Sequence, residues 1–130
     1  VLGSRGLGDV YKRQVEMVLY KLEREHLLND ADFARQWVEA RSGRKLGRSR
    51  IAQELRRKGI DADEAEEALS AIGEDAQLAD AIALAEKAAA RAKSDEDPRK
   101  TYQRIAAMLA RRGFRWDITK EALAQVLQAD

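Results

Sequence analysis

Cysteine is absent from the 130-residue chain. That excludes a disulfide framework, a thiolate nucleophile and a thiolate metal site. The one histidine, His26, follows a helical segment, where it reads as a partner for the helix dipole rather than a catalytic base. No cluster of His, Asp or Glu has metal-ligand spacing. Aromatics make up only 5% of the residues, and Pro98 is the sole proline. No apolar run approaches the roughly 18 residues of a membrane span, and the start lacks the apolar stretch of a secretory signal. A soluble cytoplasmic protein without catalytic machinery or cofactor is the expectation.

What is present is 45% hydrophobic and 36% charged residues, dominated by Ala, Leu, Glu, Arg and Lys. Those are helix formers, and the apolar spacing is helical throughout. Val15, Val18, Leu19 and Leu22 define a first helix, Val15 to Glu25. Asn29 or Asp30 is placed to cap a second, running to about Ser42 with Phe33, Ala34, Trp37 and Val38 inward. Gly43 and Gly47 bracket a basic loop. A third helix runs from Arg48 to Lys58, with Gly59 as a left-handed stop and Ile60 folding back on Leu55. Asp61 or Asp63 opens a short helix. A long Ala-rich helix spans about Asp75 to Ala92. Asp97 and Pro98 start another, which Gly113 stops, with Phe114 folding back on Leu109. Asp117 is expected to cap the last. No segment reads as a strand.

The chain repeats itself at an offset of 54 positions. Arg50, Ile51, Ala52, Leu55, Arg57 and Gly59 fall on Arg104, Ile105, Ala106, Leu109, Arg111 and Gly113. Asp63, Glu67, Ala68 and Leu69 fall on Asp117, Glu121, Ala122 and Leu123. Lys58 falls on Arg112. The apolar matches and the glycines are positions with structural work, so a three-helix unit occurs at least twice. Each unit is too small to bury its apolar faces alone, which predicts stacking. The expected division is residues 29–73 for one unit and 74–130 for the next. Residues 15–28 would be the last helix of an earlier unit.

The stretch SRGLGDVYKRQ, Ser4 to Gln14, shares none of this logic. Back-translated, it resembles a transposon-based sequencing adapter. Residues 1–14 are therefore expected to be an artefactual leader, disordered or incidentally helical, on a truncated gene. Without Arg5, Lys12, Arg13 and Asp9, the formal net charge of +1 falls to about −1.

Charge is segregated along the remainder. Arg41 to Lys58 is basic with Glu54 as its one acid, Asp61 to Asp97 is acidic, and Arg99 to Arg115 is basic without an acid. Such blocks can face charged partners. Arg44, Lys45 and Arg48 feed the start of a helix that ends in Arg56, Arg57 and Lys58, an arrangement suited to phosphate. These six, with Arg111 and Arg112 in second line, are the candidate partner-binding residues, chosen on charge and expected exposure. GRKLGRS is no phosphate-binding P-loop: three residues separate its glycines where four are needed, Arg48 stands where Lys belongs, and a helix precedes it. Trp37 and Trp116 read as packing residues rather than stacking platforms.

The segment LLNDADFARQWVEARSGRKLGRSRIAQELRRKGID resembles the RecX family of bacterial recombination regulators. Its Asp30, Phe33, Ala34, Arg41, Gly47, Ile51, Glu54, Leu55, Lys58, Gly59 and Ile60 match the family pattern. LARRGFRWDITKEAL resembles the ending of the family's third repeat, with Arg111, Arg112, Gly113, Phe114, Ile118 and Leu123. The resemblance implies an all-α fold of tandem three-helix repeats in an elongated, curved array. It also implies binding to RecA and its single-stranded DNA filament, with inhibition of RecA's ATPase and strand exchange. Nothing in the sequence demands a dimer, so a monomer is the expectation, with room for weak direct DNA contact. A stand-alone DNA-binding helical module and a helical-repeat protein scaffold remain alternatives.

Overall fold

The structure, a computed structural model, describes residues 4–25 and 30–128, with side chains from residue 10 onward except that of Glu25. Seven helices and no strand are found among them. They are α1 (Ser4–Glu25), α2 (Asp30–Ser42), α3 (Arg48–Arg57), α4 (Ala62–Leu69), α5 (Glu74–Ala90), α6 (Pro98–Arg111) and α7 (Trp116–Leu127). His26 and Asn29 lie outside the described residues.

The second unit, α2 to α4, closes on Phe33, Trp37, Val38, Leu46, Ile51, Leu55, Ile60 and Leu69, and α1 adds Leu22. The third, α5 to α7, closes on Ala81, Ala85, Ile105, Leu109, Phe114, Ala122 and Leu123. Ile51, Leu55, Ile105, Leu109 and Leu123 are fully buried. Truncating any of them to Ala would cost about 2–5 kcal/mol.

Both units turn the same corner. Gly59 (φ +82°) and Gly113 (φ +95°) are left-handed. After α3 the Ile60 amide donates to the Leu55 carbonyl (3.0 Å) and Gly59 to Arg56 (3.0 Å). After α6, Phe114 donates to Leu109 (3.1 Å) and Gly113 to Ala110 (3.0 Å). Each is a Schellman motif, and only glycine takes the left-handed turn without strain. Asp97 caps α6 by accepting from the Arg99 amide at 2.9 Å, ahead of Pro98.

α1 runs unbroken from Ser4, so residues 4–14 take the helical one of the two forms expected for them, and the first helix begins well before Val15. The Tyr11 hydroxyl sits so close to Gly43 that a Cβ there would lie 2.2 Å from it. One cap is corrected. Asp117 does not cap α7. The cap position is Arg115, with no side-chain cap, and Asp117 lies inside the first turn, paired with Arg115 at 3.0 Å. Asp63, its repeat partner, is likewise inside α4, which Asp61 caps.

The two units meet backbone to backbone. The Gly47 amide donates to the Arg112 carbonyl (2.7 Å), and the Ser49 amide to the Gly113 carbonyl (3.2 Å). A Cβ on Gly47 would lie 2.1 Å from the Gly113 carbonyl carbon, and one on Gly113 would lie 2.4 Å from the Arg50 nitrogen. No side chain fits between the two segments.

Candidate partner-binding surface

The junction takes over part of the basic loop. Three of the α3 amides that had suggested a phosphate cradle are already satisfied, and the fourth, Arg50 N–H, is covered by Gly113, where a Cβ would lie 2.4 Å from it. Arg48 N–H donates to the Gln77 side-chain oxygen (3.1 Å), Ser49 N–H to Gly113, and Ile51 N–H to the Gly47 carbonyl at 3.2 Å. Gln77, buried on α5, also reaches the Leu46 carbonyl at 3.4 Å. A helix N-terminus binds anions through unpaired amides, so this end of α3 offers no phosphate site.

Arg112 is a strut. Its guanidinium donates to the carbonyls of Lys45 (3.2 Å) and Arg44, holding the loop against the end of α6. Lys45 takes a left-handed conformation there (φ +56°). Burial, and then the neighbouring Arg44, Arg50 and Arg41, lower the Arg112 pKa, while Asp80 works the other way. Asp80 is raised above the usual carboxylate range by burial, against the pull of Lys45 and Arg112. Arg48 faces Glu66 across 3.6 Å. The eight candidates thus separate into two places. Arg44, Lys45, Arg48, Arg111 and Arg112 gather at the junction. Arg56, Arg57 and Lys58 stand at the far end of α3, about 15 Å away at 1.5 Å per residue.

At that far end Arg56 and Arg57 are exposed, while Lys58 is half-buried, paired with Glu23 of α1, and 5.2 Å from the Trp37 ring centroid. Beside them Glu54 accepts from Arg41 through both oxygens (2.9 and 2.7 Å) and from the Trp37 indole (2.9 Å). Arg41 and Glu54 are only 16% and 15% exposed, so this pair is structural. Trp37 is a core residue as expected. Trp116 is not: it is 58% exposed, while Ile118 and Thr119 of the same turn face the core.

A second cationic surface lies between α5 and α6, a groove of about 590 Å³. Lys87 and Arg91 line it from α5, Arg104 and Arg111 from α6, and Arg50 and Arg112 from the junction. Its floor is Leu84, Ala88, Ile105 and Met108, and no acid lines it. Arg104 is drawn to Glu96 (3.1 Å), and hydrogen bonds from Arg104 and Thr101 hold the Glu96 pKa down. Among the described residues no acid pairs with Lys87, Arg91 or Arg111. Charge blocks alone miss this site, since Lys87 and Arg91 lie in the acidic block. The available signals were their i, i+4 spacing and the Arg50–Arg104 repeat match.

Among the described residues no group of His, Asp or Glu could hold a metal, and no helix is long and apolar enough to cross a membrane. The architecture is that of an all-α tandem-repeat protein, a class that binds other macromolecules through its repeated faces. Family models describing RecX's second and third three-helix domains match residues 29–69 and 75–123. The chain belongs to the RecX family. It is 36% identical over 117 residues to regulatory protein RecX of Clostridioides difficile (strain 630), covering 89% of this chain and 55% of that protein. It is 40% identical over 130 residues to regulatory protein RecX of Mycobacteroides abscessus, covering 95% and 61%. The fold resembles the crystal structure of RecX from Lactobacillus salivarius at a TM-score of 0.71 and 24% identity, over 98% of this chain and 77% of that one. The chain thus spans a little over half the length of the curated relatives it matches.

Proposed function

We propose that this chain is a non-catalytic regulator of RecA, acting in the cytoplasm by binding the RecA–single-stranded DNA filament and restraining its ATP hydrolysis and strand exchange. Family membership carries this reading. Its support in the molecule is the paucity of groups suited to catalysis together with two separated cationic surfaces. Arg56 and Arg57 are the residues of the first surface with exposed side chains, and Arg111 is exposed at the second. Arg44, Lys45 and Arg48 retain side chains for a partner, although their backbone belongs to the junction. Arg112 is withdrawn into it.

Titration of the chain into a RecA–single-stranded DNA ATPase assay is expected to lower the rate of hydrolysis. The double reversal Arg56→Glu with Arg57→Glu should weaken inhibition at unchanged helix content. Folded protein that leaves hydrolysis unaltered overturns the reading. A stand-alone DNA-binding module would instead bind DNA without RecA, with an affinity falling steeply as salt rises. The filled α3 N-terminus weighs against it.

A further inference from the structure

The second and third repeats carry equivalent grooves. At the offset of 54, Met108 and Arg111 of α6 and its C-cap Arg112 take the places of Glu54 and Arg57 of α3 and its C-cap Lys58. Matching the fully buried Ala34 of α2 to the fully buried Ala81 of α5 puts Leu84 and Ala88 in the places of Trp37 and Arg41. These positions line the two grooves. In the second repeat α1 supplies the facing wall with Glu16, Leu19, Tyr20 and Glu23. It packs Leu19 and Leu22 against the core and sets Glu23 on Lys58. The chain therefore shows what packs along the edge of this kind of groove: a helix with apolar residues one turn apart and an acid that reaches a groove cation. In the third repeat, among the described residues, no helix covers the groove. Its cations are more numerous and its floor keeps Leu84 and Met108 only partly buried.

We propose that the α5–α6 groove receives an acidic amphipathic helix of a protein partner, seated as α1 is seated on the second repeat. Carboxylates would meet Lys87, Arg91 and Arg111 in charge-assisted hydrogen bonds. Apolar side chains one turn apart would cover Leu84 and Met108, removing them from water. A nucleic-acid strand suits the site less well. Its phosphates would satisfy the cations but leave the apolar floor bare, and no aromatic is present for a base to stack on. Arg104 to Arg111 spans about 10 Å, two turns of helix, which sets the length of the contact. The inference does not depend on which protein is regulated, so its failure and the failure of the RecA reading are separable.

The test is selection of displayed helical peptides, about four turns long, on the whole chain. Selected sequences are expected to carry Leu, Ile or Met one turn apart, flanked by Asp or Glu. Their affinity should fall at least about tenfold with Met108→Lys, which removes floor but adds a cation, and equally with Arg111→Glu, which reverses a cation and leaves the floor. Lys87→Glu, at an exposed position, should weaken binding at unchanged melting temperature and so separates binding from folding. Oligothymidine should not compete. Peptides lacking the acid–apolar pattern, or binding indifferent to all three substitutions, overturn the proposal. So does oligothymidine binding that Met108→Lys strengthens and Arg111→Glu abolishes, which would assign the groove to nucleic acid. Self-association abolished by Arg111→Glu would assign it to a second copy's α1, and overturns it too.

Discussion

In the second repeat the basic side chains packed around Glu54 and the α1 contact are answered within the chain, Arg41 and Arg50 by Glu54, Arg48 by Glu66 and Lys58 by Glu23, while Arg56 and Arg57 stand exposed without an acid among the described residues. In the third repeat Lys87, Arg91 and Arg111 meet no acid among the described residues, although the frame is the same. The cores differ in the same sense. Phe33, Trp37 and Leu46 add large side chains to the second, while Ala81, Ala85 and Ala122 make up three of the seven buried residues of the third. A repeated fold thus keeps its corners and its buried aliphatics while its outer groove changes from one walled by α1 and lined by three cations to one without that wall and lined by six. The difference rests on single positions, above all Glu54 against Met108.

The corners give the largest effect and the cleanest pair. Gly59 and Gly113 are repeat equivalents, both left-handed. A Cβ on Gly59 meets nothing within 4 Å, whereas one on Gly113 collides with the Arg50 backbone. Gly59→Ala is expected to cost about 1–2 kcal/mol, the left-handed penalty alone. Gly113→Ala adds overpacking of about 1–3 kcal/mol and separates the repeats, so its denaturant curve should lose two-state form. Equal costs in chemical denaturation would mean that the junction does not couple the repeats.

Exchanging the residues that distinguish the grooves comes next. Glu54→Met leaves the Trp37 indole and Arg41 without their acceptor and should cost about 2 kcal/mol, with a shift in tryptophan emission. The reverse exchange, Met108→Glu, places an acid four residues after Arg104 and three before Arg111. It should be neutral or stabilising by up to about 0.5 kcal/mol, since it restores the pairing of the second repeat. A large loss of stability with Met108→Glu would show that Met108 is a core residue rather than a groove floor.

Arg112 and Lys58 form a third pair at equivalent positions. Arg112→Ala removes charge-assisted hydrogen bonds to two carbonyls of the 43–47 loop and should cost about 2 kcal/mol. Lys58→Ala loses a partly exposed ion pair with Glu23 and should cost at most about 1 kcal/mol by thermal denaturation.

Much of this frame is legible in sequence, because local chemistry sets it. Gly59 and Gly113 announce their turns, Asp97–Pro98 its helix start, and Phe33 to Val38 its buried face. The junction is not legible. Nothing local says that Gly47 must approach Gly113, 66 positions away, or that Arg112 serves a carbonyl rather than a partner. Charge and expected exposure chose Arg44, Lys45, Arg48 and Arg112, and tertiary packing then occupied the amides and carbonyls around them. The α5–α6 groove was hidden for the opposite reason: Lys87 and Arg91 lie in an acidic stretch, and only the fold separates them from those acids.

The smallest expected effect concerns acid. Glu96 has a folded pKa lowered by Arg104 and Thr101, so its contribution is present above its ordinary value of 4.5 and disappears as pH falls through the lower folded value. Asp80 has a folded pKa raised above 3.8 by burial, so its contribution is full below that value and is lost as pH rises through the folded one. At neutral pH the ionised Asp80 therefore works against folding, while Glu96 supports it. Asp80→Asn should raise the melting temperature slightly at pH 7 and leave it unchanged near pH 3, where the carboxyl is largely protonated in either state. Glu96→Gln should lower it slightly at pH 7 and likewise converge on the parent in acid. A fall with Asp80→Asn at pH 7 would mean that Lys45 and Arg112 need this carboxylate more than burial opposes it. The junction would then be held by charge as well as by its backbone.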